Sequence, residues 1–212
     1  MTDFSTITTR GGDEGKSSLI GGERRFKSDE VFVILGDVDE LTSVLGLARA
    51  SMSQYIQEYH AGGRAQNTAM EYLNHLEDYR TRIHTVQDLL QKIGGLLALP
   101  IHKADTLGPE YLGSGYGEDF WRKQVAVIEE WQTQDIGEIH LRGFILPGDT
   151  LTGAHLDVSR AVCRRLERDL VGYLGWLNLG YLKVPQQFIN RLSDWLFIMA
   201  RWLEQNNPEE GA

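Results

Sequence analysis

Apolar residues in this chain recur at three- and four-residue steps over five separate stretches, and no other feature limits the fold as much. Val38, Leu41, Leu45 and Ala48 form the first stretch. Met70, Leu73, Leu76, Ile83, Val86, Leu90, Ile93 and Leu97 form the second, and Phe120, Trp121, Val125, Ile128 and Trp131 the third. Leu156, Val158, Val162, Leu166, Leu170 and Leu174 make the fourth, with Thr150 or Thr152 as its cap and Gly172, Gly175 and Gly180 weakening its end. Pro185 opens the fifth, from Gln186 to about Gln205. This is the period of an amphipathic helix. Gly62-Gly63, Pro100, a glycine-rich loop over 104–118 and the connector "EIHLRGFILPGD" separate the stretches. No strands alternate with helices as a parallel sheet requires. The expected fold is all-α: a five-helix up-down bundle in one domain, 1–212, with an irregular arm over 1–35 and the bundle over 36–206.

At 212 residues the chain can bury a substantial core. Its formal charge of −9 argues against a nucleic-acid surface, which needs a basic footprint, but not against a small anion site built from local arginines. Cys163 is the only cysteine, so no intrachain disulfide forms and a four-cysteine zinc site is excluded. With no N-terminal apolar segment of signal type and no apolar run approaching eighteen residues, the default expectation is a cytoplasmic protein without membrane contact.

The run "RGGDEGKSS" (10–18) raises the question of a phosphate loop. A P-loop ending in Gly15-Lys16-Ser17 needs a glycine where Arg10 stands. The preceding "STITTR" is too polar for a buried strand, and Gly21-Gly22 leaves no room for the following helix. Val31 to Leu35 before Asp37 has the look of a strand followed by an acidic residue, but comes too early to complete the motif. The loop can still bind phosphate in another way.

Two of the helical stretches carry polarity where a core is expected. Arg160, Arg164 and Arg168 recur every four residues beside the apolar face of the fourth. Like charges at that spacing repel, so something compensates them: Asp157 and Glu167 on the same helix, or a bound anion that the arginine forks grip. In the fifth, Asn190, Asp194 and Arg201 fall within about 40° on a helical wheel. Asn190 and Asp194 either tie this helix to the arginine helix or line a site facing the three arginines.

At these residues the chain resembles a known family. "TTRGGDEGKSSLIGGERRFKSDEVFVILGDVDEL" (8–41), "FILPGDT" (144–150), "SRAVCRRLER" (159–168) and "INRLSDWLFIMAR" (189–201) are similar to the ATP:cob(I)alamin adenosyltransferases of the propanediol-utilisation type. "VQDLLQKIGGLLALP" (86–100) matches more weakly, and 51–80 and 103–135 only in general character. The resemblance implies a five-helix bundle assembled as a homotrimer, with MgATP and the corrinoid meeting at subunit interfaces. It implies transfer of the 5′-deoxyadenosyl group of ATP to cobalt, with release of tripolyphosphate. A flavoprotein reductase and an adenosylcobalamin-dependent enzyme are the further partners expected.

Residue by residue, the resemblance places Thr9, Arg10, Gly11, Gly12, Ser17, Ser18 and Lys27 on ATP from the arm, and Arg164, Arg165, Leu166, Glu167, Arg168 and Asn190 on it from the two helices. It pairs Arg160 with Asp39 across the interface and has Asp194 position Arg160 or Arg164; these four are its catalytic set. Phe144 matches the aromatic beneath the corrin that keeps the lower axial ligand from cobalt. Such chemistry needs alignment and stabilisation of a leaving triphosphate rather than a general base. The chain departs from the family pattern at Gly11 (commonly Thr), Asp149 (commonly Gly) and Leu166 (commonly Ala), and in the bulk of the 104–118 loop. A non-catalytic corrinoid- or ATP-binding protein, or a cofactor-delivery chaperone, is the rival reading.

The other conspicuous residues read as structure. The six histidines show no metal-ligand spacing, and His155 reads as a helix-surface residue. Cys163 reads as a small core residue, and the five tryptophans as core or interface packing.

Overall fold

The computed structural model describes residues 8, 10–62, 67–100, 116–137, 139–141, 143–177 and 179–208. Thr9 and residues 104–115 of the glycine-rich loop lie outside them. Among the described residues five α-helices make up the bundle: α1 (Glu30–Ala61), α2 (Asn67–Leu97), α3 (Glu118–Ile136), α4 (Leu151–Leu177) and α5 (Lys183–Gln205), with a 3₁₀ turn at Gly180–Leu182 before the last. Neighbours in the packing run α2, α1, α4, α5, α3, so that α4 and α5 lie at the centre of the array.

The first helix begins at Glu30 rather than near Gly36. Val31, Ile34, Val38 and Leu41 are buried while Val33 is exposed, so the β-branched run that looked strand-like is the first turn of a helical stripe. The fourth helix runs through Gly172 and Gly175 to Leu177. Of its two candidate caps, Thr150 serves: its Oγ1 accepts from the Gly153 N–H at 2.9 Å. Thr152 is buried instead, its hydroxyl 3.1 Å from that of Ser51.

The last helix is buried on nearly every side. Ile189, Leu192, Trp195, Leu196, Met199 and Leu203 have no exposed surface. Pro185 sits in its first turn, where a backbone N–H is not needed. Truncating Leu196 or Leu203 to alanine removes close-packed volume, at a cost of about 2–5 kcal/mol each.

The arm is not wholly irregular. Lys16–Ser18 (β1) and Arg24–Phe26 (β2) pair antiparallel, with Ser17 opposite Arg25. Gly21 and Gly22, at φ 86° and 87°, turn the chain between them in a conformation that side chains disfavour. Leu19 is buried, and the Ile20 N–H donates to Ala98 O at 2.9 Å, pinning the hairpin to the end of α2. Two strands as short as these leave no periodic signal in sequence. No helix among the described residues is long and apolar enough to cross a membrane.

Candidate active site

Packing of α4 on α5 decides where each polar side chain goes. Arg160 and Arg164 of α4 line a cavity of about 550 Å3 together with Asp194 of α5. The other walls are largely apolar: Ile136 of α3, Ile139 and Leu141 of the connector, and Phe197 and Ile198 of α5, with Gln132, Thr133 and Ser193 as additional polar edges. Two cations and one carboxylate thus share a space with apolar sides, where charges interact more strongly than in water.

The remaining arginines of α4 are spoken for differently. Arg165 turns to α1, donating through Nε to Asp37 Oδ1 at 2.9 Å and through Nη2 to Glu40. The Asp37 hydrogen bond is the main reason its pKa is raised. Burial and a hydrogen bond with Asp169 push the Asp37 carboxyl up, outweighing the opposite pull of Arg165. Arg168 is exposed and donates to Arg164 O at 3.1 Å. Leu166 is fully buried in the core, so only its backbone could face a ligand.

The polar stripe of α5 divides into three fates. Asn190 Nδ2 donates to Glu167 Oε1 at 2.6 Å, tying the two helices together. Asp194 is exposed to the cavity. Arg201 is buried and donates to Asp157 and Glu204. A wheel puts these residues on one face, but the first turns of α4 close over the lower end of that face. Of the two residues weighed, Asn190 thus has the tying role and Asp194 the cavity-lining one, while Arg201 also ties α5 to α4 through Asp157.

In the arm, Arg10 adopts φ 54°, and Asp13 N and Gly15 N close back on Arg10 O and Gly12 O at 3.3 and 3.1 Å. Lys27 N donates to Gly15 O at 2.8 Å, and Arg24 Nη2 to Gly11 O at 2.5 Å. A Cβ on Gly12 would stand 2.7 Å from Lys27 Nζ, so glycine lets the ammonium lie against the loop. Ser17 and Ser18 sit on the strand beside it. The result is a folded, exposed loop with a cation laid across it, which runs into a strand where a P-loop runs into a helix.

The model of the cobalamin adenosyltransferase family matches residues 7–203. The chain belongs to that family. It is 32% identical to the corrinoid adenosyltransferase of Citrobacter freundii over 96% of this chain and 97% of that one. It is 31% identical to the human corrinoid adenosyltransferase over 96% of this chain and 72% of that one. Among solved structures it is similar to a single-residue variant of the PduO-type ATP:corrinoid adenosyltransferase of Lactobacillus reuteri complexed with cobalamin and ATP. That likeness has a TM-score of 0.69 and 27% identity, covering 94% of this chain and 91% of that one.

Within one copy of this adenosyltransferase the matched residues form separate groups. Arg160, Arg164 and Asp194 share the cavity, while Asp39 is exposed on α1 and Phe144 is fully exposed on the connector, neither lining it. Cys163 is buried and donates its thiol to Ile189 O at 3.3 Å, and burial pushes its pKa up, as suits an inert core thiol. Trp121, Trp195 and Trp202 are core residues, whereas Trp176 is largely exposed. No three His, Cys, Asp or Glu among the described residues group to hold a metal ion.

Sequence reasoning missed the α3 wall and a polar group behind it. Trp195 Nε1 donates to the buried Asp135 carboxylate at 3.2 Å, and Arg82 Nη1 lies 3.6 Å from the same oxygen. The Arg82 guanidinium also packs over the Tyr79 and Trp131 rings, 5.9 and 5.3 Å from their centroids. Burial pushes the Asp135 carboxyl up. The signal was present: Asp135 follows Ile128 by seven residues and Trp131 by four, the spacing that marked those two as core.

Proposed function

We propose that this chain transfers the 5′-deoxyadenosyl group of ATP to the cobalt of cob(I)alamin or a precursor corrinoid, releasing tripolyphosphate. The observation that carries the reading is the cavity of about 550 Å3, mostly apolar, with Arg160, Arg164 and Asp194 on its wall, in a chain of the cobalamin adenosyltransferase family. An apolar cavity suits a broad ring system, and arginine forks suit an anionic leaving group.

In this reaction Co(I) supplies the electron pair that forms the bond to C5′. The C5′–O bond breaks, and its pair leaves on the triphosphate oxygen. No side chain needs to give or take a proton. The chain's own task is to hold the two reactants in line and to meet the charge that grows on the leaving group. Arg164, Lys27 and the backbone N–H groups of the arm loop serve the triphosphate, with Arg10, Gly11, Gly12, Ser17 and Ser18 forming the nucleotide cradle. Mg2+ enters with ATP as the counter-ion of the triphosphate.

The catalytic unit is proposed to be a homotrimer. Asp39 and Phe144 lie apart from the cavity within one chain, so a neighbouring copy would bring them to it. Exposed Leu141, Phe144, Leu146, Leu151 and Val158 around the connector and the start of α4 give such contacts apolar surface. In such an assembly Phe144 would cover the lower face of the corrin and keep the lower axial ligand from cobalt.

An anaerobic visible-absorbance assay with MgATP and chemically reduced cob(I)alamin tests the reading. ATP-dependent loss of the cob(I)alamin band, with growth of a light-sensitive alkylcobalamin spectrum, is the expected result. ATP and corrinoid binding without that change would make the protein a carrier instead.

A further inference from the structure

Beneath Arg160 lies a charge cluster that the adenosyl-transfer reading does not use. Asp157, one turn earlier on α4, accepts from Arg160 Nε through Oδ1 at 3.3 Å and from Arg201 through Oδ2. Asp157 and Arg201 are 5% and 1% exposed, and Arg201 also donates to the buried Glu204 at 3.1 Å. Two buried carboxylates thus face one buried guanidinium, and Arg160, partly exposed at the cavity wall, supplies the second positive charge. The cluster is neutral only when Arg160 is drawn down onto Asp157.

The surroundings are shaped to keep this cluster in place. At Gly153, on the first turn of α4, a Cβ would stand 2.6 Å from Glu204 Oε1 and 2.8 Å from Thr150 Oγ1, so only glycine lets the Glu204 carboxylate seat against the helix start. The Arg201 guanidinium packs over the ring of Phe197, 5.3 Å from its centroid, and Phe197 is itself a wall of the cavity. Asp157 is therefore fixed on one side by a buried arginine and free to fix another on its open side. A buried carboxylate held in this way restrains the Nε end of Arg160 and leaves its two terminal nitrogens for the cavity.

The geometry points to Asp157 as a positioning residue for adenosyl transfer: anchored by Arg201, it holds the guanidinium of Arg160 at the cavity wall. This role rests on the proposed reaction, and it acts entirely through Arg160. Removing the charge at Asp157 lets Arg160 swing into solvent, so the alignment of the reactants suffers more than their affinity.

Two measurements decide it. In the wild-type protein the Arg160 Nε–H, assigned in nitrogen-15 spectra by its absence from Arg160→Lys, gives a resolved signal protected from solvent exchange. A signal averaged with those of exposed arginines overturns the proposal, whether or not the protein turns over. In steady-state kinetics, Asp157→Asn lowers kcat about tenfold or more with KM for ATP within about threefold, and adds no further loss in an Arg160→Ala background. Additive losses in the double variant, or an equal fall in kcat for Glu204→Gln, which loosens the same cluster without touching Arg160, overturn it as well. If Asp157→Asn does not fold, the wild-type nitrogen-15 signal alone decides. A wild type that transfers no adenosyl group removes the functional reading, and the same signal still shows whether Asp157 holds Arg160.

Discussion

Asn190 of α5 donates its side-chain amide to Glu167 of α4 across 2.6 Å, a side-chain bond between the two sequence motifs that carry the site. It fixes the rotation of α5 about its axis relative to α4. Asp194, one turn further along, then comes to the same cavity as Arg160 and Arg164. The Cys163 thiol bond to Ile189 O, at 3.3 Å, holds the neighbouring turn. Fold and site therefore share the same helix–helix contact.

Arg164→Ala is expected to lower kcat for adenosyl transfer about 100- to 1000-fold, the loss typical of one preorganised donor to developing charge. Arg164 is exposed, so its removal leaves no buried partner stranded. Thermal unfolding should stay unchanged. A variant with wild-type turnover would remove Arg164 from the mechanism.

Gly12→Ala tests the arm. The added methyl displaces the flexible end of Lys27 rather than any backbone, so folding should tolerate it. If Lys27 meets the triphosphate, KM for ATP rises about tenfold, close to the loss of one charge-assisted hydrogen bond of about 1.5 kcal/mol. Isothermal titration with a non-reactive ATP analogue reads the change directly.

Phe144→Ala should leave the stability of the isolated subunit within about 0.5 kcal/mol, because the ring is fully exposed there. Reduction of cob(II)alamin on the enzyme, followed spectroscopically, should slow while ATP affinity holds. Equal reduction rates would count against a role beneath the corrin.

Gly153→Ala sets two effects against each other. Alanine favours the helix by about 1 kcal/mol over glycine. The new methyl meets Glu204 and the Thr150 cap inside 3 Å, and forcing such a contact costs about 1–3 kcal/mol. Because Glu204 is buried and bonded to Arg201, it cannot swing away, and a lowered Tm is expected.

Asp135→Asn makes a prediction about pH. Burial raises the Asp135 pKa in the folded state above its ordinary 3.8. The folded chain therefore holds this proton more tightly than the unfolded chain. Its contribution to stability is full below 3.8 and is lost as pH rises through the higher folded value. Asparagine can still accept from Trp195 and does not titrate. The difference in Tm between variant and wild type should shift in favour of the variant from about pH 4 towards neutrality. A pH-independent difference would show that Arg82 compensates the charge in full.

Periodicity by itself determined the five helices, because a 3.6-residue repeat of apolar side chains needs no knowledge of partners. The core positions Leu192, Leu196, Met199 and Leu203 follow from it, and so does the buried Cys163. The four motifs, in order, carried the family resemblance without any structure. What the sequence could not decide was which neighbour each polar residue of these helices meets. Arg160, Arg164 and Arg165 are a few positions apart on α4, yet two line the cavity and the third is claimed by Asp37 and Glu40 of α1. Asn190, Asp194 and Arg201 share a stripe, yet one ties helices, one lines the cavity and one is buried with two carboxylates. A helical wheel gives direction, not neighbours. Only the packing of α1 on α4, and of α3 and α4 on α5, sets which charge meets a partner, which meets solvent and which is left facing an empty space.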